Sequence, residues 1–279
     1  MAIENLKKQH DRVRLTLLVS LVLFLIGLFA LVSHWDSAVP IIIFACLFRL
    51  IGVWLVRRPY NAAWMEAESI AAAEKAMEGG TYVRREEIGA ELLPELGLTP
   101  EIRIIPQSQR YHVLRGQIAE RNVTVAETAF TPMKEKNGSI TGKTVSGTLL
   151  VAEDSLPESE QWVILWRQPF DGLVPLSEYY NSRKPAEAPR VLPENWAACF
   201  AESEDRKCFE SAAKTLAPYC KGDYGIALSA RGGKLSLFFP GMFYARKPDL
   251  SPAPTEELLR QGTVPGIELM RDLLKTLGK

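Results

Sequence analysis

The chain of 279 residues carries 33 Lys/Arg against 33 Asp/Glu, with 47% apolar and 24% charged residues, an ordinary globular mixture whose length allows one or two domains. After Arg58 the balance is 26 Lys/Arg to 30 Asp/Glu, and a mildly acidic region without a basic stripe argues against nucleic-acid binding. Four cysteines and three histidines exclude a disulfide scaffold and argue against a metal cluster.

Leu15–Val32 is an 18-residue run without a charge, and after the polar break Ser33–Ala38 a second run, Val39–Val56, contains one charge, Arg49. Eighteen residues at 1.5 Å each nearly cover a hydrocarbon core of roughly 30 Å. Lipid cannot satisfy a bare backbone, so both runs must be helical, and the short break makes them an antiparallel transmembrane hairpin over residues 1–58. A cleaved signal peptide is the alternative for the first run. Its apolar stretch exceeds the usual ~7–15 residues, and a second span follows at once. Lys7, Lys8, Arg12 and Arg14 precede the first span and Arg57 and Arg58 follow the second, whereas the loop between holds His34 and Asp36. The positive-inside rule then puts both termini in the cytoplasm of a two-span cell-membrane protein, with the C-terminal region in a thiol-reducing cytosol.

Ser20 and Gly27 are seven residues apart, as are Ala45 and Gly52. Small residues at this spacing let helices approach closely, so these four are the expected packing positions of the hairpin. Arg49 is the expected membrane contact. A charge inside a span is a functional hypothesis by default, but Arg49 lies about 12 Å from Arg57 along a helix and can snorkel to the headgroups. A contact with a second subunit and a transport role are its other readings.

Beyond Pro59, the Ala/Glu-rich stretch from Asn61 to Met77 predicts a stalk helix capped by Gly79-Gly80. A second helix is expected over Val83–Leu96, and together these form a stalk-and-linker region, residues 59–109. From Tyr111 the period becomes two. Tyr111–Ile118, Val123–Phe130, Val145–Ala152 and Gln161–Arg167 read as strands of an α+β cytosolic domain, residues 110–279, with a mainly antiparallel sheet and flanking helices. Lys134–Lys143 reads as a polar hairpin loop turning at Asn137-Gly138. The Pro-rich stretches 168–193 and 240–254 read as solvated excursions. Asn195–Ala201, Asp205–Leu216, Thr255–Arg260 and Gly266–Leu277 are expected helices. Tyr224–Ala230 and Leu235–Phe239 flank the turn Arg231-Gly232-Gly233-Lys234.

The residues nominate no catalytic, cofactor-binding or metal site. Asn137–Thr144 ends in Gly142-Lys143-Thr144, yet its first position is Asn137, Gly138 leaves only three residues between, and it joins two strands. A phosphate loop needs Gly, four residues, Gly-Lys-Ser/Thr, and a strand–loop–helix setting. Cys199, Cys208 and Cys220 lack a CxxC pair or a nearby histidine and read as structural thiols, with Cys46 inside the second span. His112 is the one histidine available to a catalytic pair in the domain, and reads as satisfied or exposed. The acidic runs Glu153-Asp154 and Glu202–Asp205 have no fixed mutual spacing, so solvated loops are their default.

The stretches Gly116-Gln117-Ile118, Val123–Glu127 and Val145–Ala152, with Cys199-Phe200, Asp205, Leu216 and Pro218 and the hairpin Ile226–Phe238, resemble the blocks of domain-of-unknown-function family 3137. These are bacterial proteins sometimes mislabelled galanin-like. The resemblance implies a bacterial inner-membrane protein with paired N-terminal membrane helices and a cytosolic α+β region, and it implies no activity. The expected function is a membrane-anchored interaction or regulatory module, whose partners are the lipid bilayer and another protein or a second copy of the chain. The alternatives are an accessory subunit of a membrane assembly and a motif-poor membrane-bound enzyme.

Overall fold

The computed structural model describes residues 2–33, 35, 38–84, 112–130, 134–136, 139–141, 145–166, 185–186, 190–193, 196–200, 206–220, 225–241, 250 and 252–278. The architecture is α+β, with two long apolar N-terminal helices followed by an antiparallel sheet and its helices. The chain divides into two compact units, Met1–Ala71 with Arg246–Gly262, and Ala72–Ala245 with Thr263–Lys279.

In the first unit, α1 spans Ala2–Val32. It is followed by α2 (Ala38–Leu47), a π-helical turn (Phe48–Gly52) and α3 (Val53–Ala76), which form one unbroken helical run. Leu6, His10 and Val13 fall on one stripe of α1, and Tyr60, Trp64 and Glu68 recur every four residues on α3, the spacing that lines up one helix face. These stripes bury each other. The His10 and Tyr60 rings lie 5.8 Å apart and Tyr60 and Trp64 6.1 Å, and Trp64 Nε1 donates to the buried Glu68 carboxylate at 3.2 Å. Chain remote in sequence completes the cluster: His10 Nε2 donates to the Leu250 carbonyl at 3.2 Å, and Leu259 of the short helix α5 (Glu256–Leu259) is buried with them. Thr255 caps α5, its hydroxyl accepting from Leu258 N.

The first unit extends past Arg58 to Ala71, and Tyr60 and Trp64 share a buried cluster with Leu6 and Val13. Pro59 lies inside α3. Apolar side chains cover the surface of the earlier part of the hairpin. Among the described residues every exposed large apolar side chain except Ile70 and Val191 lies between Leu15 and Leu55.

In the second unit nine strands form one sheet in the order β1-β2-β3-β6-β11-β10-β7-β9-β8, and every pairing is antiparallel. The strands are β1 (Glu78–Arg84), β2 (His112–Ile118), β3 (Arg121–Phe130), β6 (Val145–Ala152), β7 (Trp162–Trp166), β8 (Pro185–Ala186), β9 (Trp196–Phe200), β10 (Ala227–Arg231) and β11 (Lys234–Pro240). A separate ribbon pairs β4 (Lys134–Lys136) with β5 (Ser139–Thr141). One cross-strand row runs the full width, Tyr82–Leu114–Val125–Leu150–Leu237–Leu228–Ile164–Ala198–Ala186. Since side chains alternate between faces, the members of this row from Tyr82 to Ile164 mark the face that meets α4 (Arg206–Leu216), α6 (Ile267–Leu277) and Ala72, Ala73 and Met77 in a single core. Two tight turns hold neighbouring strands in register. Ala119 and Glu120 take φ of 49° and 63°, and Gly232 and Gly233 take 55° and 77°, the left-handed pairs that match strand twist in two-residue hairpins.

Three expectations fail locally. Val83 and Arg84 lie in β1 instead of opening a helix, because Gly79 (φ 61°) interrupts the register between Glu78 and Thr81 and sends the chain along β2. The rest of the expected 83–96 helix lies outside the described residues. The stalk helix stops at Ala76 ahead of Gly79-Gly80, its last carbonyl accepting from Arg271 Nη2 at 2.9 Å. Residues 195–201 supply strand β9 where a helix was expected. A short apolar run cannot be assigned by periodicity, and pairing with β7 buries Trp196 in the sheet core. Within the Pro-rich stretch 168–193, Pro185 and Ala186 pair with β9. Residues 167–184 and 242–249 lie outside the described residues.

Candidate functional site

Gly27 and Gly52, two of the sequence-nominated packing positions, each lie close to a residue of the opposite helical run that the sequence did not nominate. A Cβ added at Gly27 would sit 2.7 Å from Ile42 Cγ1 and 3.2 Å from Ile42 N, so the two backbones meet there as closely as glycine permits. Gly52 faces Thr16, whose Cγ2 lies 3.6 Å from the Cβ position. Ser20 and Ala45 are both buried, and Ser20 Oγ donates to the Leu17 carbonyl at 2.7 Å. Arg49 lies elsewhere: it is exposed, inside the π-helical turn, and has no polar partner among the described residues. Isolated π turns are rare and concentrate at functional positions.

A belt of arginines crosses the hairpin near its open end. Val13 is fully buried, so its chain neighbours Arg12 and Arg14 project to either side of α1, and both are exposed. Arg57 and Arg58 of α3 are also exposed, and the Arg58 guanidinium lies 5.4 Å from the Trp54 ring centroid in a cation–π contact. None of the four forms an ion pair among the described residues.

The described residues of the second unit include two concave surfaces. An open groove of about 780 Å³ lies over β1, β2 and β3, with Glu78, Thr81, Arg115, Gln117, Asn122 and Glu153 among its lining residues. Alternation explains it, since Arg115 and Gln117 on β2 and Asn122 and Thr124 on β3 point away from the helix-covered row. Gln117 Nε2 donates to Asn122 Oδ1 at 3.2 Å, and the Arg115 carbonyl accepts from Thr81 Oγ1 at 3.2 Å. The acidic run Glu153-Asp154 contributes Glu153 to this rim, and its period-2 setting after β6 was the available signal. A smaller cleft of about 520 Å³ lies between α4 and α6, lined by Thr215, Tyr219, Asp272 and Thr276. Tyr219 donates to Asp272 Oδ2 at 2.8 Å. Burial first, then that hydrogen bond and the charges of Asp272 and Glu268, push the phenol up to about 12.

No protein-family model, curated relative or solved structure matches the chain.

The remaining nominations are scattered. Cys220 is buried, with its thiol pushed up to about 12 by burial and donating to the Leu216 carbonyl at 3.3 Å. Cys208 is half-buried and Cys46 is exposed on α2. Among the described residues no three His, Cys, Asp or Glu side chains gather as metal ligands. The loop residues His34 and Asp36, the near-phosphate-loop residues Asn137, Gly138, Gly142, Lys143 and Thr144, and the acidic run Glu202–Asp205 lie outside the described residues.

Proposed function

We propose that the chain is an integral membrane protein whose helical hairpin anchors an interaction or regulatory module at the inner face of a bacterial membrane, in keeping with its resemblance to family 3137. One observation carries the reading. Both N-terminal helices are long and apolar enough to cross a bilayer, and only 17% and 6% of the residues in their apolar windows are buried. Soluble monomers rarely expose continuous apolar patches larger than a few hundred Å², so this surface needs a non-aqueous neighbour. Arg12, Arg14, Arg57 and Arg58 at the open end of the hairpin favour cytoplasmic termini, with the sheet unit in the cytosol. The module acts through a protein partner or a second copy, and the reading requires no active site.

Carbonate extraction of native membranes tests the anchor, and labelling of a tag after Lys279 in intact cells tests the orientation. A chain released by carbonate would refute the anchor, and a tag labelled from outside would refute the orientation. Arg49 favours a second reading, an accessory subunit of a membrane assembly. Helical side chains lean toward the N-terminus of their helix. Arg49 therefore leans toward Ala38, away from the nearer interface at Arg57, and a carboxylate on another chain would satisfy it where it stands. Purification in mild detergent separates the readings. A stoichiometric membrane partner lost in Arg49→Leu supports the accessory subunit, and an Arg49-independent soluble partner supports the anchored module.

A further inference from the structure

We propose that Arg12, Arg14, Arg57 and Arg58 form a collar that binds the phosphodiester groups of anionic phospholipids at one face of the bilayer. The inference rests on the hairpin spanning the membrane. It adds a ligand class and a site to that reading.

The helix pairing places the four residues at one level. His10 packs on Tyr60, Thr16 meets Gly52 and Gly27 meets Ile42, an antiparallel register that sets Arg12 opposite Arg57 and Arg58, and Arg14 opposite Leu55 and Val56. At 1.5 Å per residue the four α-carbons fall within about 4 Å along the hairpin. That level is the edge of the apolar surface: Leu15 and Leu55 are its last exposed apolar residues on α1 and α3. Arg12 and Arg14 flank the buried Val13 on opposite sides, so the charges surround the hairpin.

The chemistry fits phosphate. A guanidinium presents a planar fork that grips two phosphate oxygens and keeps its charge at any working pH. Nearby acids do not neutralise the belt: Asp11 directs Oδ1 to His10 Nδ1 at 3.4 Å, and none of the four arginines forms an ion pair among the described residues. Trp54, an interfacial residue type, is exposed under Arg58 and holds that side chain at headgroup depth. Basic clusters immediately beside a span attract anionic headgroups with a gain that corresponds to about fivefold in affinity per arginine.

The test uses the full chain purified in mild detergent and equilibrated with equal amounts of phosphatidylglycerol and phosphatidylcholine, with bound lipids counted by native mass spectrometry. Wild type is expected to retain phosphatidylglycerol preferentially. Arg58→Gln should weaken that preference about fivefold, and Gln at all four positions should abolish it. The single variant keeps three collar charges and carries the test should four substitutions prevent folding. Equal retention of the two lipids by wild type, or a preference unchanged in the Gln variants, would overturn the proposal. Displacement of the bound lipid by millimolar glycerol 3-phosphate would also overturn it, by making free phosphate the ligand. A chain that stays soluble without detergent would refute the membrane reading itself, before any lipid is counted.

Discussion

Gly266 and Gly232 make a controlled pair for testing whether the described packing holds. Both take left-handed backbone, at φ 79° and 55°, so Ala at either site meets the same conformational penalty of about 1–2 kcal/mol. The space around them differs. At Gly232 an added Cβ meets nothing within 4 Å, whereas at Gly266 it would sit 2.7 Å from Phe239 Cβ and 3.1 Å from Leu150 Cδ1. The first of those atoms is fixed to a strand backbone and cannot swing away. Overpacking of this kind costs a further ~1–3 kcal/mol, giving about 2–5 kcal/mol for Gly266→Ala. For a unit of this size each kcal/mol moves the melting temperature by about 2–4 °C. Tryptophan-fluorescence melts of the detergent-solubilised chain should therefore put Gly266→Ala about 2–12 °C below Gly232→Ala. Equal melting temperatures would refute the packing of the α6 N-terminus against β11 and β6.

Three further outcomes follow from the same structure. Tyr219 and Cys220 both have acids raised from ordinary values of 10.0 and 9.0 to about 12, so the fold favours their protonated forms. Their contribution to stability is complete below about pH 9 and is lost as pH rises toward 12. Tyr219→Phe should lose roughly 0.5–1 kcal/mol near pH 8 through the missing bond to Asp272, with the gap to wild type closing between pH 10 and 12 in melts across that range. Iodoacetamide at pH 8 should label Cys220 in urea and leave it nearly untouched in the folded chain, and equal labelling rates would place that thiol on the surface. Gly27→Val forces a side chain into the Ile42 backbone and should separate the two helices, read as lost crosslinking between cysteines placed at Thr16 and Gly52.

The elements legible in the sequence are those whose signals are local. Val145–Ala152, a short run with β-branched residues, reads as a strand, and it is a strand at those bounds. The stripe Ile267, Leu269, Met270, Leu273, Leu274 and Leu277 has helical spacing, and on α6 the first five are buried and Leu277 is half-buried. Arg231–Lys234 carries its own turn chemistry and forms the hairpin of β10 and β11. Where the deciding contact is remote, local reading fails. Nothing within residues 195–201 reveals β7, whose ladder makes them a strand, and Val83 depends on β2 in the same way. Ser20, Gly27, Ala45, Arg49 and Gly52 could be singled out because residues of their kind are conspicuous in an apolar run. The groove over β1–β3 was hidden because Arg115, Asn122 and Glu153 are ordinary surface residues until three strands set them side by side.

The contact between His10 and Leu250 joins residues 240 positions apart, and this sets an order of events during synthesis. At roughly 5–20 residues per second, Trp64 leaves the ribosome about 9–37 s before Leu250, the first residue of the segment that covers it, exists. The aromatic face at the base of the hairpin is thus open to other proteins throughout translation of the sheet unit, and Leu250 and Leu259 close it near the end. A nascent chain stalled before residue 250 would present that face permanently, a distinguishing mark that quality control could read on an unfinished copy.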